Sequence, residues 1–153
     1  MEKEKKGMTK EDIIKRYSQV VYAGLIDKIK ECEKLAKRMG VKIDEKRILK
    51  EACVELLRKG WAKDAKGIFD YAMDKGIKIA LRPEFFEEAL VRVVTQGWLG
   101  GVEAVKSFAT ELDFAIDIDA CVRKGYELAI REKRKDDLKL IKEIAKSEGV
   151  KLK

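Results

Sequence analysis

The sequence predicts an all-α fold: an α-solenoid of about four helical hairpins, eight helices in all, wound into a right-handed superhelix. Three observations carry that prediction. Gly40-Val41-Lys42-Ile43, Gly76-Ile77-Lys78-Ile79, Asp113-Phe114-Ala115-Ile116 and Gly149-Val150-Lys151-Leu152 recur at spacings of 36, 37 and 36 residues. Upstream of them, Ala36, Ala72, Ala109 and Ala145 fall into register, as do Cys32, Ile68, Val105 and Ile141. Ala, Leu, Ile, Lys, Glu and Arg dominate, while the chain holds a single proline and no asparagine. Independent positions agreeing across nearly equal gaps are the mark of a repeat array.

Residues 1–8 read as a charged flexible tail, and 9–153 as a single helical-repeat domain. The first helix, about 9–23, opens on Thr9 with Glu11 and Asp12 in its first turn, where a hydroxyl cap and negative charge favour a helix start. The second, 26–39, places Ile29, Cys32, Leu35 and Ala36 on one apolar face. The third, 45–59, carries Leu49, Ala52, Leu56 and Leu57, and the fourth, 62–75, Ala65, Ile68, Tyr71 and Ala72. Pro83 suits the first turn of the fifth, 83–96, whose face is Phe86, Ala89, Val93 and Val94. The sixth, 101–112, repeats the short-helix pattern with Val102, Val105, Phe108 and Ala109. The seventh, 118–133, aligns Val122, Gly125, Ala129 and Ile130 with the long helices, and the eighth, 136–148, closes the series with Leu138, Ile141, Ile144 and Ala145. Gly24, Gly40, Gly60, Gly76, Gly97 and Gly149 follow helical stretches, where a left-handed residue ends the helix. The recurring alanine implies a close helix crossing.

Composition narrows the class. Charged residues make up 41% and hydrophobic ones 46%; histidine is absent, and Gln occurs only at Gln19 and Gln96. Few amides with abundant Lys and Glu is the composition of a thermophilic protein. No apolar run approaches the roughly 20 residues of a membrane span, and the N-terminus lacks a signal-peptide core, so a cytoplasmic protein with no membrane partner is expected. Cys32, Cys53 and Cys121 are odd in number, widely spaced and on apolar faces, so core packing is expected of them.

The order of long helix, Gly, Asp-Ala, shorter helix and Gly-Ile-Lys resembles the pentatricopeptide repeat and, more distantly, the tetratricopeptide repeat. The match is carried by Gly60, Asp64-Ala65, Ile68-Phe69, Met73 and Gly76-Ile77-Lys78. The resemblance implies helical hairpins in a superhelix. It further implies that single-stranded RNA would be read through Lys15 with Lys46, Glu51 with Pro83, Glu88 with Asp119, and Lys124. The family uses Asn, Thr, Ser and Asp there; only Asp119 fits, so no base-by-base code is expected.

Chemistry is sparse. Without histidine, the commonest neutral-pH base and metal ligand is missing, and Ser18, Ser107, Ser147 and the cysteines have no imidazole to activate them. Glu111, Asp113, Asp117 and Asp119 could hold a hard cation, but they lack the Gly and distal Glu of a calcium loop and read instead as a loop and helix cap. Gly97-Trp98-Leu99-Gly100-Gly101 lacks the Lys-Ser/Thr of a phosphate-binding loop. Trp61 and Trp98 are expected to fold back on the preceding helix ends, and Phe85-Phe86 to join the core. No catalytic residue, metal or cofactor is assigned, and no enzyme is expected.

Charge supplies the remaining hint. Residues 1–50 hold 15 Lys/Arg against 9 Asp/Glu, residues 51–122 hold 9 against 13, and residues 123–153 hold 11 against 6. Candidate nucleic-acid contacts are therefore Lys28, Lys30, Lys34, Lys37 and Arg38 near the first hairpin, and Arg123, Lys124, Arg131, Lys133, Arg134, Lys135 and Lys139 near the last. Interleaved acids give the alternative of a solvated, salt-bridged surface. The leading expectation is a scaffold for a protein partner or a second copy of itself; the alternative is RNA or DNA held by the basic ends.

Overall fold

A computed structural model of the chain describes residues 9–152; the charged tail assigned to residues 1–8 lies outside the described residues. Eight helices are present among the described residues: α1 (Lys10–Tyr22), α2 (Ile26–Arg38), α3 (Glu45–Arg58), α4 (Ala62–Asp74), α5 (Pro83–Thr95), α6 (Leu99–Glu111), α7 (Ile118–Arg131) and α8 (Lys135–Glu148). Each end falls within two residues of its expected place. The N-terminal signals work as read. Thr9 Oγ1 accepts from the Asp12 amide at 3.2 Å while Asp12 accepts from the Thr9 amide at 3.0 Å, a reciprocal capping box. Asp44 and Asp117 accept from the amides of Arg47 and Ala120 at 3.3 and 3.0 Å.

All eight helices end in one motif. At the short helices, the amides of Val41, Ile77, Phe114 and Val150 donate to the carbonyls of Ala36, Ala72, Ala109 and Ala145 at 2.8–3.0 Å. At the long helices, those of Leu25, Trp61, Trp98 and Arg134 donate to Val20, Leu56, Val93 and Ala129 at 2.9–3.0 Å. These six-to-one bonds, each beside a five-to-two bond, need a left-handed residue just past the helix, which satisfies carbonyls the helix leaves unpaired. The recurring alanine is thus the acceptor of its own helix's cap, and all four alanines are buried. Six of the left-handed positions are glycine; Asp113 (φ +59°) and Lys133 (φ +57°) take the other two. Lys133 completes the series Gly24, Gly60, Gly97, Lys133 at the same spacings of 36, 37 and 36.

One boundary differs for a physical reason. α6 begins at Leu99, not near 101, because left-handed Gly97 ends α5 and leaves Trp98 as the next helix's N-cap. Gly100 and Gly101 then form the first helical turn, and the Trp98 ring lies over them. A Cβ at Gly101 would stand 2.6 Å from Trp98 Cε3 and 2.7 Å from Val93 Cγ1. The ring therefore covers the start of the following helix, close to Val93 of the preceding one, and it stays 44% exposed.

The chain divides into two compact units, to both of which α3 and α4 contribute. The first comprises residues up to Cys53 together with Gly67–Ile79. There α1 packs on α2, burying Ile13, Tyr17, Val21, Ile29, Cys32 and Ala36. The second comprises Val54–Lys66 and residues from Ala80 onward. In it α5 packs on α6 and α7, and α7 on α8. Phe86 sits at its centre, edge-on to Phe108 at 5.2 Å and tilted against Phe114 at 5.5 Å. α5 and α7 approach closely where Gly125 faces Val94: a Cβ there would meet Val94 Cγ1 at 2.5 Å and the Val91 carbonyl at 3.1 Å. Phe86 is in the core as expected, whereas Phe85 is half-buried with the Arg58 guanidinium 5.8 Å from its ring centroid.

Candidate functional site

An open groove lies in each unit. In the second unit it measures about 720 Å³ and is walled by α5, α7 and the end of α3. The two walls run alongside in parallel register: Cys121 Sγ lies 3.7 Å from the Glu87 carbonyl, and Thr95 Oγ1 lies 3.4 Å from that of Gly125. Thr95 is buried, and its hydroxyl donates to the Val91 carbonyl at 2.7 Å. Acidic side chains cluster toward the helix starts, with Glu84, Glu87 and Glu88. Glu88 is neutralised by Arg58 at 2.6 Å. Farther along stand Arg92 and, midway along α7, Lys124, which make no ion pair among the described residues; past the end of α7 Arg134, held by Asp137 at 3.3 Å, stands beside Glu132 at 3.9 Å. The floor is Val91, Thr95, Ala120 and Leu128. The groove thus carries both charges along its walls, over a largely apolar floor.

In the first unit a groove of about 490 Å³ lies against α2, with Ala36, Val41 and Ile43 in its wall and Lys30, Lys34 and Lys37 along its side. Ala36 and Val41 belong to the core cluster around Ile13, with Ile43 packed against it. Beneath runs a polar network absent from the sequence-based expectations. The Glu33 carboxylate accepts from Tyr17 Oη at 3.0 Å and from Tyr71 Oη, and it pairs with Lys75 Nζ at 2.7 Å. Lys75 also reaches Glu45 at 2.9 Å. The Glu33 side chain is only 15% exposed. Burial first, then the Glu33 charge, pushes the Tyr17 phenol well above its ordinary range, and burial and the Glu33 hydrogen bond do the same for Tyr71. Lys75 is raised despite burial, because its hydrogen bonds to Glu33 and Glu45 favour the ammonium. The network ties together α1, α2, α3 and the α4 end.

The basic candidates divide. Lys30, Lys34 and Lys37 share one groove and make no ion pair among the described residues. Lys124 and Arg134 line the other. Lys28 is paired with Glu31 at 3.5 Å and Arg123 reaches Asp119 at 4.0 Å, so these two are partly neutralised. Arg38, Arg131, Lys135 and Lys139 are exposed and line neither groove, and Lys133 serves as a helix cap. Of the positions named from the repeat resemblance, Glu88 and Lys124 line the second groove, whereas Lys15, Lys46, Glu51, Pro83 and Asp119 line neither.

The acidic candidates are each spoken for separately. Asp117 caps α7, Asp113 is the left-handed residue after α6, and Glu111 pairs with Lys66 at 3.3 Å. No group of three or more potential ligands gathers as a metal would require among the described residues. Cys32, Cys53 and Cys121 are free and buried. Burial pushes the Cys53 thiol up to about 12 and that of Cys121 to about 11, which keeps them protonated and inert. Among the described residues no helix is long and apolar enough to cross a membrane.

No family model matches the chain, and neither a curated protein nor a solved structure matches it significantly. Its own geometry is what bears on function: eight helices with matched ends, and two grooves of different character.

Proposed function

We propose that this chain is a non-enzymatic helical-repeat scaffold that grips a protein partner, its hairpins stacked as a right-handed superhelix. The observation that carries the reading is the second-unit groove. Long-helix side chains supply carboxylates and cations along its walls, over a largely apolar floor. Helical repeats bind by such surfaces, using backbone regularity for shape and variable groove side chains for specificity. The uniform caps and the 36-residue register support stacking of like units. Glu87, Arg92 and Lys124 would contact the partner, and all three are free of ion pairs among the described residues.

The test is capture of partners from nuclease-treated extract by the parent chain and by Glu87→Lys/Arg92→Glu/Lys124→Glu. The expected result is a discrete protein retained by the parent and lost by the triple variant at unchanged thermal midpoint. Equal retention by both overturns the reading. Nucleic acid bound through the basic ends is the second reading, supported by the unpaired Lys30, Lys34 and Lys37. Its sign is association with single- and double-stranded oligonucleotides that weakens steeply as salt rises.

A further inference from the structure

We infer that the first-unit groove is a second docking site, and that its occupant is an acidic amphipathic helix from another protein. The inference extends the scaffold reading to a separate groove and fixes the partner's chemistry. Lys30, Lys34 and Lys37 are exposed and lie four and three residues apart, so they form a rail on one side of α2, rising about 10 Å from first to last. A facing helix repeats with that same spacing, and it brings carboxylates four and three residues apart into register with the rail. Beside the rail, half-buried Ile43, lying against the buried Val41, gives the apolar contact that such a helix needs for its other face. The charge balance agrees. Four ammonium groups line the groove against the carboxylates of Glu33 and Glu45, and Lys75 already satisfies both of those carboxylates.

The same features argue against nucleic acid here. Single-stranded bases seek open aromatic faces. Tyr17 is wholly buried, and Lys75 Nζ occupies the Tyr71 face, 5.3 Å from the ring centroid. A peptide can set an aliphatic side chain over the floor and keep its acids at the rail. A phosphate backbone has no apolar face to offer that contact.

The experiment uses the full chain and a fluorescein-labelled helical peptide, with Glu at positions spaced four and three apart and Leu on the adjoining face. A Gln-for-Glu counterpart and oligouridylate serve as comparison probes. The Glu peptide should bind, losing about tenfold in affinity in the Lys30→Gln/Lys34→Gln/Lys37→Gln chain and a similar factor when its acids become Gln. Ile43→Ala should weaken the Glu and Gln peptides alike. Equal affinity for the two peptides, equal binding by the triple-Gln chain, or tighter oligouridylate binding at these lysines overturns the inference. Because Glu87→Lys/Arg92→Glu/Lys124→Glu leaves this groove intact, that variant should still bind the Glu peptide. Failure here is thereby separated from failure of the second-unit reading.

Discussion

In the first unit, Glu33 on α2 holds Lys75, which stands 42 residues on, just past the end of α4. In the second, Lys106 on α6 holds Glu148 at the end of α8, across the same separation of 42, at 2.8 and 3.0 Å. Counting by the repeat spacing places Glu33 with Lys106 and Lys75 with Glu148, so one inter-hairpin tie recurs with its signs exchanged. The surroundings differ more than the tie does. Glu33 gathers two tyrosine hydroxyls, whereas the residue in register with Tyr71 is Phe108, whose ring meets Phe86 instead. The comparison teaches that the repeat preserves where hairpins are fastened, while the chemistry at the fastening is local. One unit leans on a polar knot, the other on aromatic contact and a glycine-permitted close crossing.

The sharpest way to break this contrast is at the knot. Glu33→Ala leaves two phenols and Lys75 without their shared acceptor, and should cost about 3 kcal/mol in urea unfolding, the scale of a broken buried pair. Hydrogen exchange should accelerate chiefly in α1 and α2; a loss below about 1 kcal/mol, or loosening confined to α5 and α7, would dissolve the distinction. Its counterpart is Gly125→Val, whose side chain must enter space held by Val94. We expect about 2 kcal/mol of destabilisation, with exchange rising in α5 and α7.

Charge exchange sharpens the comparison further. Lys106→Glu with Glu148→Lys should restore most of the roughly 1–2 kcal/mol lost in either single change. Glu33→Lys with Lys75→Glu should not, because lysine at 33 cannot accept from Tyr17 and Tyr71. Equal rescue in both units would show that the hydroxyls are bystanders. The two left-handed residues that are not glycine, Asp113 and Lys133, both belong to the second unit. Lys133→Gly should raise stability by about 1 kcal/mol, since a left-handed lysine carries a steric cost that glycine lacks. An unchanged denaturation midpoint would mean that the cap is relieved elsewhere.

The smallest effect concerns pH. Folding raises the Tyr17 and Tyr71 phenols, so the native state holds those protons more tightly than the unfolded chain. Their contribution is complete below about pH 10 and is lost as pH climbs beyond it. Cys53 and Cys121, raised to about 12 and about 11, act with the same sign from about pH 9 upward. Tyr17→Phe should therefore flatten the fall of the thermal midpoint between pH 9 and 11. An identical slope would detach Tyr17 from the alkaline transition.

What the sequence disclosed and what it hid follow from locality. The spacing, the apolar faces and the Thr9, Asp117 and Pro83 starts were legible because each is written within one helix or repeated in the next. Glu33 was not. It sits in a run of alternating Glu and Lys that reads as solvated surface, and its meaning depends on Tyr17 and Tyr71, 16 and 38 residues away. Lys133 was hidden because a left-handed cap is marked in sequence by glycine, which this position lacks, although counting on from Gly97 leads to it. The basic residues were legible as a set but not as places. Only the fold shows that Lys30, Lys34 and Lys37 share a groove while Lys28 and Arg123 are matched by acids.

The shared helix ending reaches beyond stability. A segment cut from one left-handed residue to its equivalent in the next hairpin begins and ends on the same backbone bend, so its two termini are interchangeable joints. Such a cassette can be duplicated or excised by a single recombination without a new linker. Hairpin number is thereby uncoupled from the chemistry of the helix faces, since the joint is made by backbone alone.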